Sequence, residues 1–288
     1  MNPTSDPHPA MDSSPPASAR LDYLDATRAF ALVLGVVFHA SLSYLPVYIG
    51  WAVQDVSTSM VAGVFVTVSH SFRLEVFFLL AGFFTHLTLR RKGITDLLKS
   101  RVIKIAIPFV VGWFLLRPLL TSGWIMGFSS MQGELQFWSG IAAGFNEFKK
   151  LPEGLFIGTH LWFLYYLALI TGIALLVRAA IGLWSPAAAA IPAVLDRVVS
   201  RWSSSRWGLL VGVVSIAPVL SIMDGWGVDT PDKSLVPHVP AFLLYGGFFG
   251  LGWFLDRKPA GLERFSQLTW FRGTVAVAAI AITMILTE

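Results

Sequence analysis

The chain of 288 residues contains no cysteine, and this absence removes several kinds of chemistry. Disulfide bonds, thiolate metal sites, a cysteine nucleophile and an acyl-cysteine intermediate are all excluded. The sequence also lacks a recognisable zinc-ligand spacing, a glycine-rich phosphate loop and a Ser-His-Asp triad. We therefore expect no metal site and no permanently bound cofactor.

Charged residues are scarce as well, because they make up 13% of the chain whereas hydrophobic residues make up 55%. Such a composition is too apolar for an ordinary soluble domain. The 11 Trp and 22 Phe suit the aromatic belts and lipid-facing surfaces of a membrane protein. The basic residues lie at the ends of apolar segments, so we expect no nucleic-acid binding. The composition predicts an all-α, polytopic integral membrane helix bundle.

Apolar segments of membrane-spanning length recur along the chain and predict about seven spans. Residues 1–20 are rich in Pro, Ser and Asp, and we expect a disordered cytoplasmic tail ahead of one transmembrane domain, residues 21–288. We expect an interfacial or re-entrant loop at 123–145, an irregular linker at 184–206, and close helix approach at Gly208/Gly212 and Gly246/Gly250. The predicted spans are 24–45, 61–88, 102–121, 160–178, 207–223, 238–255 and 270–287.

The distribution of Lys and Arg predicts the orientation of the protein in the bilayer. These residues concentrate in the loops after the second, fourth and sixth spans. The loops after the first, third and fifth spans carry only Lys149, Lys150 and Lys233. Because basic loops remain in the cytoplasm, we expect a multi-pass protein of the inner (plasma) membrane with a cytoplasmic amino terminus.

Two ionisable residues on the first span, Arg28 and His39, are candidates for function. Eleven residues amount to about three helical turns and 20°, so both side chains lie on one helix face, about 16 Å apart along the axis. A histidine within hydrocarbon is costly and is a functional candidate by default. A neutral imidazole is also a suitable general base near pH 7.

The second span carries three more ionisable residues, His70, Arg73 and Glu75. On a continuous helix His70 and Arg73 are neighbours, whereas Glu75 lies about 160° away from His70. If the first two spans are adjacent, His39, His70 and Arg73 share a layer in the outer half of the bilayer. The alternative is a purely structural ion pair between Arg73 and Glu75 or another acid.

Four motifs in order resemble the acyltransferase family 3 membrane proteins. They are Arg28 with His39, the segment Phe72–Phe84 containing Gly82, the segment Arg101–Pro108, and the segment His160–Leu164. The family typically has about ten spans, which implies that this chain holds part of a longer fold. The family also usually has a serine where this chain has Ala81. The resemblance implies transfer of an acetyl or succinyl group from a cytoplasmic acyl-CoA-type donor to a hydroxyl of an extracytoplasmic glycan, such as a periplasmic glucan.

The resemblance also implies roles for particular residues. His39 is the expected base, Arg73 stabilises the oxyanion or recognises a succinyl carboxylate, and Glu75 orients Arg73 or His39. Arg28 and Arg101 are expected to hold the coenzyme, while Arg28, His70 and His160 contact substrate.

Explanations that need no ligand or catalytic role remain for three of these residues. Arg28 could pair with Asp25 or reach the lipid headgroups. Arg101 and its basic neighbours satisfy the positive-inside rule without any ligand, and His160 fits an interfacial aromatic belt beside Trp162.

A secondary transporter is the competing functional class, with the intramembrane His, Arg and Glu side chains as a proton relay or substrate site. Transporters commonly contain internal repeats. Residues 160–288 hold no second copy of the Arg28–His39 or Phe72–Phe84 patterns, which counts against this alternative. A non-catalytic membrane scaffold is a third class, and it has no use for converging buried charges.

Overall fold

The computed structural model describes residues 22–146, 149, 161–205, 207–224, 228–231, 234–257 and 269–287. The described residues contain helices and no β-strand, which confirms the predicted all-α class. The helices are α1 (Asp22–Ser41), α2 (Met60–His70), α3 (Arg73–Arg101), α4 (Ile107–Met131), α5 (Phe137–Asn146), α6 (Trp162–Leu183), α7 (Ser185–Ser204), α8 (Gly208–Leu220), α9 (Val239–Arg257) and α10 (Trp270–Thr287).

Three local departures from α-helix shape the first half of the bundle. A 3₁₀ turn, Leu42–Tyr44, follows α1, and a π-helical turn, Val102–Ala106, joins α3 to α4. Gly93 bends α3 with a φ of 83°, a value in the left-handed region that glycine adopts without a steric cost.

Four helical segments of the described chain are long and apolar enough to cross a membrane. They are Tyr23–Tyr44, Met60–Met131, Trp162–Leu183 and Val239–Arg257, and the second of these contains both predicted spans 61–88 and 102–121. The predicted spans 207–223 and 270–287 correspond to shorter apolar helices, Leu210–Leu220 and Trp270–Ile282. The 13 residues of α8 extend about 20 Å, less than the hydrocarbon thickness of about 30 Å.

The closest helix pair, α3 with α9, is held together by two glycines. A Cβ atom at Gly82 would collide with the carbonyl oxygen of Phe249, and one at Gly252 would collide with that of Leu79. Gly82 is therefore needed for backbone contact. The prediction that Gly246 and Gly250 permit such contact was wrong, since a Cβ at either position has no described atom within 4 Å.

An aromatic core fills the space between α3, α6 and α9. Phe78, Tyr166, Tyr245 and Phe249 are at most 1% exposed, and Trp162 packs against them. Aromatic side chains contribute large apolar areas to such cores, and they prefer the edge-on and offset-stacked arrangements found here. This core fixes the faces that α3 and α9 present to the rest of the bundle.

Two segments predicted to be irregular are helical. In the segment 123–145, α4 continues to Met131 and α5 then folds back along it, because Gly144 leaves room for the backbone of α4 near Ser122. The segment 184–206 contains α7, whose Asp196 pairs with Arg257 at the end of α9 through two bonds of 2.8 Å.

Candidate functional site

The predicted second span is interrupted at Ser71 and Phe72, between α2 and α3. The hydroxyl groups of Ser69 and Ser71 donate hydrogen bonds to carbonyl oxygens three residues earlier, at 3.2 and 2.8 Å. Side-chain bonds of this kind compete with the regular helical pattern. The prediction of a continuous helix across 61–88 was therefore wrong.

The interruption places the ionisable residues at two helix ends. His70 is the last residue of α2, Arg73 is the first of α3, and Glu75 lies in the first turn of α3. The positive end of the α3 dipole favours a carboxylate at that position. Helical spacing therefore does not determine how His70 faces Arg73 and Glu75.

The ring of Phe38, on α1, brings the predicted site residues together. The Arg73 guanidinium lies 4.3 Å from the centre of this ring, and the imidazole of His70 stacks on it with centroids 5.5 Å apart. The His39 ring meets it edge-on at 5.1 Å. Gly35 lies one turn before Phe38, and a Cβ there would be 3.5 Å from Arg73 Nη1, so the arginine passes close to α1.

The half-buried imidazole of His39 has a defined tautomer. Its Nδ1 lies 2.7 Å from the carbonyl oxygen of Gly35. Since a carbonyl oxygen can only accept a hydrogen bond, Nδ1 carries the hydrogen, and in the neutral ring Nε2 carries the lone pair. The Trp51 ring lies 5.8 Å from the imidazole and packs in turn on Trp124. The arrangement gives His39 the form that a general base requires.

Buried polar atoms without partners surround the α2–α3 interruption. Arg73 is 7% exposed and Glu75 is 5% exposed, yet Arg73 Nη1 and Glu75 Oε2 have no hydrogen-bond partner among the described residues. His70 Nε2 donates to the carbonyl oxygen of Val228 at 3.1 Å, while its Nδ1 has no partner in the described chain. Buried polar atoms without a partner are rare in native proteins, and they commonly mark the place of a ligand or an ordered water molecule.

The predicted structural alternative is an ion pair between Arg73 and Glu75, and the distance between the two side chains tests it. The two described side chains interact electrostatically, but they form no salt bridge within 4 Å. The Arg73 guanidinium, which lies on the Phe38 ring, is therefore not neutralised by a direct contact with Glu75. Arg73 Nη1 and Glu75 Oε2 remain without a partner in the described part of the bundle.

A second group of cations lies at the end of the bundle where the amino-terminal half of α1 approaches the carboxyl-terminal end of α3. Arg28 pairs with Asp25 at 3.2 Å and lies 5.2 Å from the centre of the Phe84 ring. Arg101 donates a hydrogen bond to Thr85 Oγ1, and its buried Nε has no partner in the described chain. Arg28 and Arg101 also interact electrostatically with each other, so two like charges share this end.

A family comparison identifies the protein class. The sequence model of one family, described as an acyltransferase domain, matches residues 21–287. The chain belongs to acyltransferase family 3. This is a family of membrane proteins, in agreement with the apolar helices.

Among curated relatives, the family 3 chain is similar to glucans biosynthesis protein C from Escherichia coli K12 (MC4100/BW2952) and from Escherichia coli O1:K1. Each is 31% identical over 157 residues, which cover 54% of this chain and 38% of the relative. The matched region thus spans under two fifths of each relative's length. No solved structure matches the chain.

The predicted site residues of this family 3 member fall into three groups. His39, His70, Arg73 and Glu75 lie around the α2–α3 interruption, and Arg28 and Arg101 lie together near the carboxyl-terminal end of α3. His160 lies outside the described residues. The roles that the resemblance implies for all seven residues stay predictions.

A cluster around the buried carboxylate of Asp256 links α3 to α9, and sequence reasoning assigned no role to it. His86 Nδ1 lies 2.6 Å from Asp256 Oδ2, and Arg90 donates to both oxygens of the same carboxylate, at 3.2 and 3.3 Å. A cavity of about 570 Å³ lies beside His86, between α6, α7 and α9. Asp256 follows an apolar segment and looked like an ordinary span end, so the pairing had no signal in the sequence.

A further polar group was also missed. Asp224, Asp229 and His238 bring one potential ligand atom each to within 4.8 Å of one another. His238 Nε2 is 3.6 Å from a carboxylate oxygen of each aspartate, although Asp224 is largely exposed. The distances suit weak ion pairs, and Asp229 directly follows Val228, whose carbonyl oxygen accepts the hydrogen bond from His70.

Proposed function

We propose that the chain is an integral-membrane O-acyltransferase that moves an acetyl or succinyl group from a cytoplasmic acyl-CoA donor to a hydroxyl of an extracytoplasmic glycan. Membership of family 3 supports acyl transfer. The name of the relatives, glucans biosynthesis protein C, supports a glucan as the acceptor. The positions of Lys and Arg support an inner-membrane protein with a cytoplasmic amino terminus.

The observation that carries the proposal is the hydrogen bond between His39 and Gly35. A sugar hydroxyl is a poor nucleophile until a base removes its proton. The bond fixes the imidazole so that the lone pair of neutral His39 lies on Nε2, opposite the atom that α1 holds. The bond therefore supplies the tautomer that a general base needs.

The reaction follows from that assignment. The acceptor oxygen bonds to the thioester carbonyl carbon while its proton passes to His39 Nε2, and the carbonyl electron pair moves onto oxygen. The intermediate then collapses, the carbon–sulfur bond breaks, and the proton on His39 passes to the leaving thiolate. Arg73, held on the Phe38 ring and in electrostatic interaction with Glu75, stabilises the negative oxygen.

The donor binds at the inner end in this proposal. Arg28 and Arg101 provide two guanidinium groups that match phosphate geometry, and Arg101 Nε has an unused donor. Along α1, Arg28 and His39 are about 16 Å apart, a distance of the order that an extended pantetheine arm covers. The thioester therefore reaches His39 while the nucleotide remains near the cytoplasm.

The acceptor binds at the outer side. His70 fits this role because its Nδ1 is buried without a described partner and can accept a hydrogen from a sugar hydroxyl. His160 is a further proposed contact, based on its place in the family motif.

Mass spectrometry of glycans tests the proposal. Periplasmic glucans and surface polysaccharides are compared between cells that carry the gene, cells that lack it, and cells in which it is restored. We expect an acetyl or succinyl mass increment that disappears with the gene and returns on restoration. An unchanged profile in every glycan fraction would overturn the proposal and favour a transporter.

A further inference from the structure

Tyr245 is a fully buried residue of α9 with an unusual hydroxyl. The ring is 0% exposed and stacks on Phe78 with centroids 4.7 Å apart, while Trp162 and Tyr166 pack around it at 5.6 and 6.5 Å. The ring is thus held on several sides. The hydroxyl nevertheless has no hydrogen-bond partner in the described chain, although a buried Tyr normally finds one.

The hydroxyl of Tyr245 belongs to the same buried region as Arg73 and Glu75. Tyr245 interacts electrostatically with both side chains. Its stacking partner Phe78 lies one helical turn after Glu75, so α3 presents the carboxylate and the supporting ring on one side. Helices α3 and α9 touch through Gly82 and Gly252, which fixes the position of Tyr245 relative to Arg73.

Three polar groups without a partner in the described chain therefore lie in this buried region: Arg73 Nη1 on the side of α1, a Glu75 carboxylate oxygen and the Tyr245 hydroxyl. Leaving each of them unsatisfied in an apolar interior costs free energy. Two of the three, the guanidinium and the phenol, can donate a hydrogen bond to one oxygen atom. A carbonyl oxygen that becomes negative during a reaction matches this pair of donors.

We propose that Tyr245 is a further catalytic residue, which with Arg73 forms an oxyanion site for the thioester carbonyl. This inference rests on the proposed acyltransferase function. When the acceptor oxygen attacks, the carbonyl electron pair moves onto oxygen, and the Tyr245 hydroxyl and Arg73 Nη1 donate hydrogen bonds to it. Both donors keep their protons, and collapse of the intermediate returns the electron pair as the carbon–sulfur bond breaks.

The role requires the hydroxyl and not only the ring. Phenylalanine at this position would keep the stacking on Phe78 and the packing against Trp162, so the core would remain filled. It would remove only the donor. Because a preorganised donor acts where charge develops in the transition state, its loss lowers kcat and leaves donor binding unchanged.

The test compares Tyr245→Phe with Tyr166→Phe, using the full chain in membranes and acetyl-CoA and succinyl-CoA as donors with periplasmic glucan as acceptor. Tyr166 is a matched control because it is equally buried and its ring contacts Tyr245, while its hydroxyl accepts a hydrogen bond from the backbone of His238 at 2.8 Å. We expect Tyr245→Phe to lower kcat by about 10²- to 10³-fold with an unchanged KM for the donor. Tyr166→Phe should retain the wild-type kcat.

Several results would overturn the inference. Wild-type kcat in Tyr245→Phe would mean that the hydroxyl contacts only water or is idle. Equal losses in both variants, or a raised donor KM in Tyr245→Phe, would indicate a packing or binding role. Activity is normalised to the folded protein measured by size-exclusion chromatography, so a loss that disappears on normalisation also overturns it. A wild-type chain that transfers neither acyl group would instead contradict the proposed function itself.

Discussion

At the scale of single residues, Phe38 has an unexpected role. The sequence indicated that Arg73 would need a carboxylate or carbonyl partner inside the bilayer. The structure gives the cation an aromatic face at 4.3 Å instead. A cation–π contact contributes about 2 kcal/mol when it is shielded from water. The Phe38 ring therefore holds Arg73 in place without using the hydrogen-bonding atoms that a ligand needs.

The base assignment gives the first prediction, for the variant His39→Ala. Removing a general base commonly lowers a rate by about 10²- to 10⁴-fold, and we expect acyl transfer to fall by that amount. The protein should still insert, because His39 is half-buried and its bond to Gly35 is local to α1. Glycan acylation and the amount of protein in the membrane fraction are measured together. Normal acylation by the variant would contradict the assignment of His39.

The residues that could be predicted from sequence are those whose charge is anomalous in an apolar segment. His39, His70 and Arg73 stood out for this reason, and the structure brings all three to one ring. Tyr245 had no such signal, since tyrosines are ordinary in membrane spans. Only the packing of α9 on α3 shows that its hydroxyl is buried beside Arg73 and Glu75.

At the scale of helices, the contact between α3 and α9 positions the site. Gly82 and Gly252 allow the two backbones to touch. The His86–Asp256–Arg90 cluster connects the same two helices near the carboxyl-terminal end of α9. The contact and the cluster together prevent α9 from sliding along α3, so Tyr245 keeps its depth relative to Arg73.

The helix contact yields a second prediction, for Gly82→Ala. The new Cβ would collide with the carbonyl of Phe249, and overpacking of this kind costs about 1 to 3 kcal/mol. We expect a lower midpoint of thermal unfolding in detergent. Gly246→Ala is the matched control, because its Cβ has open space and alanine favours a helix by up to about 1 kcal/mol. Equal midpoints for the two variants would contradict the role of Gly82.

Helix boundaries were predictable only where no competing local signal existed. α1, α6 and α9 follow the predicted spans closely, because their apolar runs are unbroken. The serines at the end of α2 gave no clear warning of the interruption. The prediction of an irregular linker at 184–206 treated its prolines as helix breakers. In α7, however, one proline lies in the first turn, where its missing N–H is not needed.

At the scale of the whole molecule, α1 connects two chemically different ends. The amino-terminal half carries Arg28 near Arg101, and the carboxyl-terminal half carries His39 beside the α2–α3 interruption. A donor from one compartment and an acceptor from the other would approach α1 from opposite directions. The proposed transfer across the membrane therefore needs only one helix to define its path.

The orientation leads to a third prediction, which the absence of native cysteine makes easy to measure. Val56 is fully exposed after α1, and Lys92 is exposed near the bend of α3. In spheroplasts, we expect a membrane-impermeant maleimide to label Val56→Cys, and to label Lys92→Cys only after lysis. The reverse pattern would overturn the cytoplasmic amino terminus and the placement of the donor site.

The π-helical turn Val102–Ala106 preserves the rotational phase between α3 and α4. A π turn accommodates one residue more than an α-helical turn, so the residues on either side keep nearly the phase of an uninterrupted helix. Deletion of one residue there would leave Arg117, which is 6% exposed and lies 5.0 Å from the centre of the Trp113 ring, on its buried face. The same deletion within the regular part of α4, ahead of Arg117, would turn that side chain by about 100°. The effect of a one-residue length change therefore depends on which side of Ala106 it falls.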